Sequence, residues 1–381
     1  MRALIIGGVG GMGQGVAKYL VWDKRVTDVI LADLYPDPER LTPKLRENKK
    51  TTLIKMDVME HDAMVAAFKK VDIVINTAGP FYKTAVPVAR AAVEAKVNYI
   101  DICDDYEGTE ILFNSDIDKL AKEAGITILT GMGSDPGTNN ILVKWYADKL
   151  DTVDEVYLYW VVSIAELAGA AWDHSLHMTL GQVPQYIDGK IVQVKGGTDM
   201  VSEQFLEPLG ECRVRYVGHP QPLTLPKYIK GVKNVIIKGA LIPHWVDEMI
   251  AEQKATGFLG TDPVDLKGTK VTPYDLALEL WKKNIIKDRD NGPQSSGLKV
   301  IVKGKRDGKK VTYTADMAGR MAPGTGLPAA MAALMFADGA VKEKGVVAPE
   351  GCIDPEIFIK AFIGKGAKIH QSEKIENIMD L

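Results

Sequence analysis

The sequence predicts an α/β protein in which a doubly wound parallel sheet is joined to a second α+β domain with a mixed sheet. Three observations lead to this prediction. Short apolar runs alternate with helical patterns through the first part of the chain, as in a parallel sheet with helical crossovers. A glycine-rich turn follows the first apolar run. Beyond residue 140 the pattern changes to longer strands separated by proline and glycine turns.

The elements of the first domain follow one another in regular order. Short, mainly apolar runs predict buried strands at residues 2–7, 29–33, 53–58, 71–76, 98–103 and 127–129. Apolar residues at helical spacing predict helices at residues 14–22, 62–70, 85–95 and 115–124. Strand and helix therefore alternate from the first strand to the sixth.

The second domain is predicted from strand patterns of a different kind. A long strand is expected at residues 153–164, with further strands at 190–195, 212–217, 233–239, 298–303 and 310–316. A helix is predicted at residues 327–344, after a proline- and glycine-rich stretch. The predicted domain boundaries are residues 1–138 and 139–319.

Composition and charge exclude several classes of function. The net charge of −3 gives no electrostatic reason to expect a nucleic acid or an anionic membrane as partner. The three cysteines are far apart and form no CxxC pair, which favours reduced thiols over disulfides or a zinc site. The first residues enter a strand pattern at once, without the features of a secretory signal. We therefore expect a cytoplasmic protein without membrane segments.

The glycine-rich turn points to a cofactor. Its residues are Gly8, Val9, Gly10, Gly11, Met12 and Gly13, a match to G-x-G-x-x-G between a buried strand and a helix. Gly8 allows the tight turn, Gly10 lets the backbone approach a pyrophosphate, and Gly13 allows close packing of helix and strand. This context is that of a Rossmann domain that binds a dinucleotide.

Asp33 indicates which dinucleotide. It lies 20 residues after Gly13, at the end of the second predicted strand. A carboxylate there accepts hydrogen bonds from ribose hydroxyls and repels a 2′-phosphate, so NAD is predicted over NADP. Arg40, seven residues on, complicates this choice. The alternative is a Rossmann domain that binds a different nucleotide or none.

Further cofactor contacts are expected where other strands of the sheet end, because these ends line the ligand crevice. The candidates are Asp57, Val58, Ala78, Gly79, Pro80, Asp135 and Pro136. For Asp57 a helix-capping role is an equal alternative, and for Gly79 the alternative is an ordinary turn.

Asp135 is also the first candidate for the base that a dehydrogenase needs when it forms an imine. It follows the sixth strand, and its alternative role is to cap the next helix. His174 and His177 share a helix face and are candidates for catalysis or substrate binding, without a third ligand that would indicate a metal. Cys103 is a fourth candidate, with an inert buried thiol as its alternative. The segment 170–177 is where we expect substrate preference to be determined.

Several stretches together resemble a known family. They are the turn at residues 8–13 and the segments 99–103 (YIDIC), 131–140 (GMGSDPGTNN), 218–226 (GHPQPLTLP), 325–330 (TGLPAA) and 345–350 (GVVAPE). In this order they resemble the saccharopine dehydrogenase-like superfamily, which includes saccharopine reductase, lysine 6-dehydrogenase and carboxynorspermidine dehydrogenase. Two departures are Asp33, because saccharopine reductase is usually NADP-linked, and Asn140, where that enzyme tends to have histidine.

The resemblance implies an architecture and an activity. C-terminal helices from residues 320–381 would complete the Rossmann domain, and the second domain would carry the substrate cleft and much of a homodimer contact. The implied activity is NAD-dependent hydride transfer at a carbon bearing nitrogen, in an amino acid or a secondary-amine (opine-like) conjugate. The alternatives are an NAD-retaining transferase or lyase of the homospermidine synthase type, without net redox change, and a catalytically silent NAD-binding protein.

Overall fold

A computed structural model describes residues 1–167, 171–288 and 291–376 of the chain, without the side chains of 284–288. Ala170 of the segment 170–177 and residues 377–381 of the C-terminal segment lie outside the described residues.

The strands are numbered in chain order. They are β1 (Arg2–Ile6), β2 (Asp28–Asp33), β3 (Thr51–Lys55), β4 (Ile73–Asn76), β5 (Asn98–Asp101), β6 (Thr127–Leu129), β7 (Thr152–Ser163), β8 (Gln182–Ile187), β9 (Lys190–Lys195), β10 (Val201–Gln204), β11 (Glu211–Tyr216), β12 (Asn234–Ile242), β13 (Val264–Leu266), β14 (Thr269–Val271), β15 (Ser296–Arg306), β16 (Lys309–Gly319), β17 (Gly345–Val347) and β18 (His370–Glu376).

The helices are numbered likewise. They are α1 (Gly11–Leu20), α2 (Pro43–Arg46), α3 (His61–Phe68), α4 (Phe81–Ala95), α5 (Tyr106–Asn114), α6 (Ile117–Ala124), α7 (Thr138–Ala147), α8 (Ala171–His177), α9 (Gln221–Tyr228), α10 (His244–Ala255), α11 (Pro273–Asp288), α12 (Met321–Ala337), α13 (Pro349–Cys352) and α14 (Pro355–Gly364), with 3-10 turns at Pro38–Arg40 and Ile164–Glu166.

The first sheet is parallel throughout. Its seven strands run in the order β17-β6-β5-β4-β1-β2-β3. Residues 3–6 of β1 and all of β4 are buried, because helices cover both faces of the sheet. The order reverses beside β1, so the crevice expected for a ligand lies at the carboxyl ends of β1 and β4. The predicted doubly wound sheet is confirmed.

The second sheet is mixed, also as predicted. Its main path runs β10-β11-β12-β7-β15-β16-β18, with β8 and β9 attached to β12. The long central strand β7 pairs in parallel with β12 and antiparallel with β15. Buried side chains on β7, β12 and β15 belong to the same core cluster as the first sheet. The two sheets therefore share a continuous apolar interior.

The segment after residue 320 differs from the expected set of helices. Strand β17 extends the first sheet beside β6, and β18 extends the second sheet beside β16. The polar sequence of β18 is that of an exposed edge strand, which is easily missed because every residue of it is exposed. The C-terminal segment thus contributes a strand to each sheet.

Helix α12 begins at Met321 and ends at Ala337, whereas the sequence predicted a helix over 327–344. The proline and glycine residues that suggested a loop lie instead in its first turns, where a missing N–H is tolerated. Gly326 of α12 packs closely on Gly15 of α1. A Cβ on Gly15 would overlap the backbone of Ala322 in α12, and a Cβ on Gly326 would overlap the backbone of Gly15. None of the described helices is long and apolar enough to cross a membrane.

Candidate cofactor and substrate cavity

One cavity of about 1050 Å³ lies at the carboxyl ends of the first sheet. The loops after β1, β4, β5 and β6 form one wall, and β7, β15, β16 and the start of α12 form the other. Of the residues predicted from sequence, it is lined by Gly10, Gly11, Met12, Asp33, Ala78, Gly79, Asp135 and His174. We call the part near Gly10 and Asp33 the glycine end, and the part near Asp104, Asp135, His174 and His219 the histidine end.

The glycine end is built mainly from backbone. Helix α1 begins at Gly11, and no side chain caps its first turn, so its first N–H groups are available to a ligand. Gly8 and Gly13 do not line the cavity but keep the turn compact. A Cβ on Gly8 would lie 2.7 Å from Cβ of Leu31, and one on Gly13 would overlap the carbonyl oxygen of Gly7.

Asp33 is held in place by the backbone beside this turn. Its Oδ2 accepts a hydrogen bond from the N–H of Val9 at 3.3 Å, and its Oδ1 accepts one from Tyr35 at 3.1 Å. Tyr35 and Arg40 line the same part of the cavity. An anion-binding helix terminus and a fixed carboxylate at one crevice fit the pyrophosphate and ribose of a dinucleotide.

Four other residues predicted to contact the cofactor do not line the cavity: Asp57, Val58, Pro80 and Pro136. Asp57 stands two residues beyond the end of β3, and its Oδ1 accepts a hydrogen bond from the N–H of Met59 at 2.9 Å. It therefore stabilises its own turn. A cofactor role for these four residues remains a prediction.

His174 lies between two carboxylates at the histidine end. Its Nε2 is 2.8 Å from Oδ2 of Asp104, and its Nδ1 is 2.8 Å from Oδ1 of Asp105. The contacts are ion pairs whose angles depart from hydrogen-bond geometry. Burial alone would lower the pKa of His174, but the two carboxylates outweigh it and raise the pKa well above its usual value.

The same three side chains are close enough to hold a metal ion. However, two ligands of one tetrahedral zinc ion stand about 3.3 Å apart, from Zn–N and Zn–O bonds of about 2.0 Å. The observed separations of 2.8 Å are shorter. They fit a protonated imidazole between two carboxylates better than a shared metal ion.

His177 and Cys103 lie outside the cavity. His177 pairs with Glu107 at 2.9 Å and stacks on Tyr82, and this pairing with Glu107 raises its pKa. Cys103 is fully buried, and burial raises the pKa of its thiol well above the usual value. A thiol in that state is a poor nucleophile, so the structure favours the inert alternative.

Asp135 occupies the wall that the sequence predicted for it, but without capping a helix. The N-cap residue of helix α7 is Gly137, so Asp135 does not cap the helix. Instead Oδ1 of Asp135 accepts a hydrogen bond from Nε2 of Gln221, and Oδ2 has no hydrogen-bond partner among the residues that the structure describes. Burial raises the pKa of Asp135, while the nearby ring of His219 acts in the opposite direction.

The geometry can now be compared with known proteins. Residues 3–129 match the saccharopine dehydrogenase NADP binding domain, and residues 133–366 match the saccharopine dehydrogenase C-terminal domain. The chain belongs to the saccharopine dehydrogenase family. The resemblance predicted from the short segments is therefore confirmed, and with it the class of NAD(P)-binding oxidoreductase.

Relatives within this family and one solved structure extend the match. The carboxynorspermidine synthase of Vibrio alginolyticus is 26% identical over 346 residues, which cover 82% of this chain and 80% of that protein. The carboxyaminopropylagmatine dehydrogenase of Synechocystis sp. is 25% identical, covering 97% and 98% of the two chains. The saccharopine dehydrogenase (L-Glu forming) of Saccharomyces cerevisiae shares the fold, with a TM-score of 0.72 at 16% identity and coverage of 99% and 100%.

Several residues in and around this cavity were not predicted from the sequence. Asp104 and His219 were not among the site residues predicted above, yet both line the cavity. Gln221 is fully buried between Asp135 and His219. Glu166 bonds to the N–H of Met321 at 2.7 Å and ties the second domain to the start of α12. The segment His-Pro-Gln-Pro at residues 219–222 was the available indication in the sequence, because it places two polar side chains between prolines. The structure buries all four of these residues.

Proposed function

We propose that the protein is an NAD-dependent dehydrogenase that transfers hydride to or from a carbon bearing nitrogen, in an amino acid or a secondary-amine conjugate. One observation carries the proposal. A single cavity joins the glycine turn and Asp33 to a buried group of ionisable side chains. Hydride transfer and proton transfer need such adjacent sites, in a space that excludes water.

The choice of NAD over NADP rests on Asp33. Its carboxylate is fixed by two backbone N–H groups, so it cannot turn away from a ribose without losing both. A 2′-phosphate placed beside it would meet a negative charge, whereas two free hydroxyls would donate hydrogen bonds to it. The domain family that matches residues 3–129 is named for NADP binding, so the choice of NAD is argued from Asp33 of this chain and not from the family.

The substrate class follows from the charges at the histidine end. Asp104 and Asp135 offer carboxylates to an ammonium or secondary amine. At the cavity rim, Arg320 pairs with Glu166 through its Nε at 3.1 Å, and its side chain is exposed enough to meet a substrate carboxylate as well. The relatives named for carboxynorspermidine and carboxyaminopropylagmatine point to conjugates with both groups. When bound, the nicotinamide would supply the hydride acceptor or donor.

Other expectations from the sequence belong to this proposal. They are catalytic roles for Asp135 and His174 at the histidine end, the binding of an amino-acid-like small molecule, a homodimer in contact through the second domain, and a cytoplasmic location. The placement of Asp135 and His174 at the same end of the cavity supports the first.

The first experiment measures NAD and NADP binding by calorimetry. The wild type should bind NAD more tightly than NADP. Asp33→Asn should weaken NAD about 10- to 100-fold, as expected for loss of charge-assisted hydrogen bonds, and should strengthen NADP. Asp37→Asn is the matched control, because Asp37 is exposed and only caps the neighbouring 3-10 turn. If the wild type binds neither nucleotide, the proposal is wrong.

The second experiment follows NADH formation from L-lysine, saccharopine and carboxynorspermidine. Substrate-dependent NADH formation would support a dehydrogenase. Tightly retained NAD with an altered substrate but no net NADH would support the homospermidine synthase type of reaction instead. NAD binding without any conversion of the panel would favour the silent NAD-binding protein.

A further inference from the structure

His219 is a buried group of the histidine end to which nothing above assigns a task. Its side chain lines the cavity and is almost wholly buried. Its Nδ1 lies 2.9 Å from Oε1 of Gln221 and 3.9 Å from Oδ1 of Asp135. Its Nε2 has no hydrogen-bond partner among residues 1–167, 171–288 and 291–376. One ring nitrogen is thus held by the protein, and the other is left for a ligand.

The direction of each hydrogen bond in this chain is fixed by elementary chemistry. Nε2 of Gln221 donates to Oδ1 of Asp135, which is the direction that an ionised carboxylate requires because it can only accept. The carbonyl oxygen of Gln221 then faces Nδ1 of His219, and that nitrogen must carry the hydrogen. Gln221 is fully buried, so no water competes for either end of its amide. The neutral ring is therefore the Nδ1–H tautomer, with the lone pair on Nε2.

We infer that Nε2 of His219 exchanges the proton of the substrate nitrogen, and that Gln221 and Asp135 are positioning residues that hold the ring in this tautomer. The inference rests on the proposed function. In the oxidative direction the substrate C–H bond would be lost as hydride, for which a nicotinamide, when bound, would be the acceptor, while the N–H bond breaks and a C=N bond forms. The N–H proton goes to Nε2, which gives an imidazolium stabilised by Asp135 through Gln221.

The other histidine of the cavity is unsuited to this task. Each ring nitrogen of His174 already faces a carboxylate, so neither offers a lone pair to a substrate. Asp135 is the competing candidate, since its Oδ2 has no hydrogen-bond partner within the described parts of the chain. The two assignments differ in what an amide at position 135 would do. Asparagine can still accept a hydrogen bond from Gln221 through its Oδ1, but it cannot take a proton.

The kinetic test uses the substrate that the panel above identifies. His219→Asn should lower kcat about 100-fold or more, the usual contribution of a general base, without changing the Kd for NAD. Asp135→Asn should lower kcat less than about tenfold. His61→Asn, an exposed histidine paired with Glu94, is the matched control. A larger loss for Asp135→Asn than for His219→Asn would overturn the inference and make Asp135 the base. His219→Gln, with NAD binding as a check on folding, covers the case in which the asparagine variant is unstable.

A second readout does not depend on turnover. In protein labelled with ¹⁵N at histidine, the signals lost in His219→Asn identify this ring among the six histidines. They should show hydrogen on Nδ1 and a lone pair on Nε2 in the wild type. Gln221→Met, which keeps the bulk of the side chain but no hydrogen bond, should mix the two tautomers and lower kcat more than KM. Hydrogen on Nε2 in the wild type would overturn the inference, even in an active enzyme. A wild type without activity on the panel but with the expected tautomer would instead count against the proposed function.

Discussion

The two ends of the cavity bind charge in different ways. At the glycine end the groups that face a ligand are backbone N–H dipoles and one carboxylate fixed by backbone hydrogen bonds. At the histidine end they are the ionisable side chains of Asp104, Asp135, His174 and His219, which are buried or half-buried. A backbone dipole has no proton to lose, so the first end keeps its field across a wide pH range. The second end has a geometry that depends on protonation.

This difference suits the two ends to different tasks of a dehydrogenase, which are cofactor binding and proton transfer. The glycine end can bind a cofactor of constant charge with a constant affinity. The histidine end must change its protonation within each turnover, so its groups have to be buried, coupled and exactly oriented by other side chains. The four predictions that follow test this division, and they run from the largest expected effect to the smallest.

The largest effect is expected at His174. His174→Leu should destabilise the protein by about 3–5 kcal/mol, because it leaves the buried Asp105 and the half-buried Asp104 without their common cation. Urea unfolding at neutral pH measures this change. His61→Leu, which breaks an exposed pair, should change stability by less than about 1 kcal/mol. Equal effects of the two substitutions would mean that the histidine end is not held together by ion pairs.

The loss at His174 should also depend on pH. The folded-state pKa of His174 is raised, so its stabilisation is complete below the unfolded value of about 6.5 and disappears as pH rises through the raised value. The folded-state pKa of Asp105 is lowered, so its stabilisation is present above the unfolded value and disappears as pH falls through the lowered value. The difference between wild type and His174→Leu should therefore be greatest between these limits.

Asp101, at the end of β5, should produce the next largest effect. Burial raises its pKa to about 6, although four hydrogen bonds to its oxygens oppose the rise. Because the native state then binds the proton more tightly than the unfolded state, stability should fall by about 3 kcal/mol as pH rises from below 4 to above 6. Asp101→Asn should remove this dependence. If the free energy of unfolding changed with pH in the same way in both proteins, the pH dependence could not be assigned to Asp101.

A smaller effect is expected when the glycine end is filled. Gly13→Ala should destabilise the protein by about 1–3 kcal/mol and weaken NAD binding, since its Cβ would overlap the backbone of the first turn. Gly11→Ala is the control for stability, because a Cβ there meets only Cβ of Ala322 at 3.8 Å. The loss in Gly13→Ala should be the same at pH 5 and pH 8. A loss of stability that varied with pH would contradict the distinction between a pH-independent glycine end and a pH-dependent histidine end.

The smallest effect is expected at Cys103. Its buried thiol should resist iodoacetamide in the folded protein, because burial keeps the pKa well above the pH of the reaction. Cys103→Ala should cost about 1 kcal/mol for the lost buried atom and leave kcat within about twofold. Rapid alkylation together with loss of turnover would restore Cys103 as a catalytic candidate.

The sequence predicted the glycine end well because its features are local. Gly8 to Gly13 and the acid at position 33 belong to one strand-turn-helix-strand unit, and its chemistry can be read from spacing alone. The alternation of strand and helix likewise predicted the parallel sheet. The edge strand β18 was missed because it buries no side chain and leaves no apolar pattern.

The histidine end was predicted only in part because it is assembled over long distances. Asp135 and His174 were identified as candidates, but His174 meets Asp104 and Asp105 across about 70 residues of sequence, and Asp135 meets Gln221 across 86. The spacing of residues along the sequence does not show which of them will pair across such distances. His219 could not be told from a structural histidine until the direction of its hydrogen bond to Gln221 was known.

The close contact of Gly15 with Gly326 determines when the cofactor site can be completed during translation. The turn that would bind the pyrophosphate is made within the first residues, but the helix that packs on α1 emerges more than 300 residues later. At about 5–20 residues per second, translation takes roughly 15–60 s to cover that interval. The cofactor therefore meets a complete binding site only when the ribosome has almost finished the described part of the chain, and a nascent chain arrested earlier should retain no NAD.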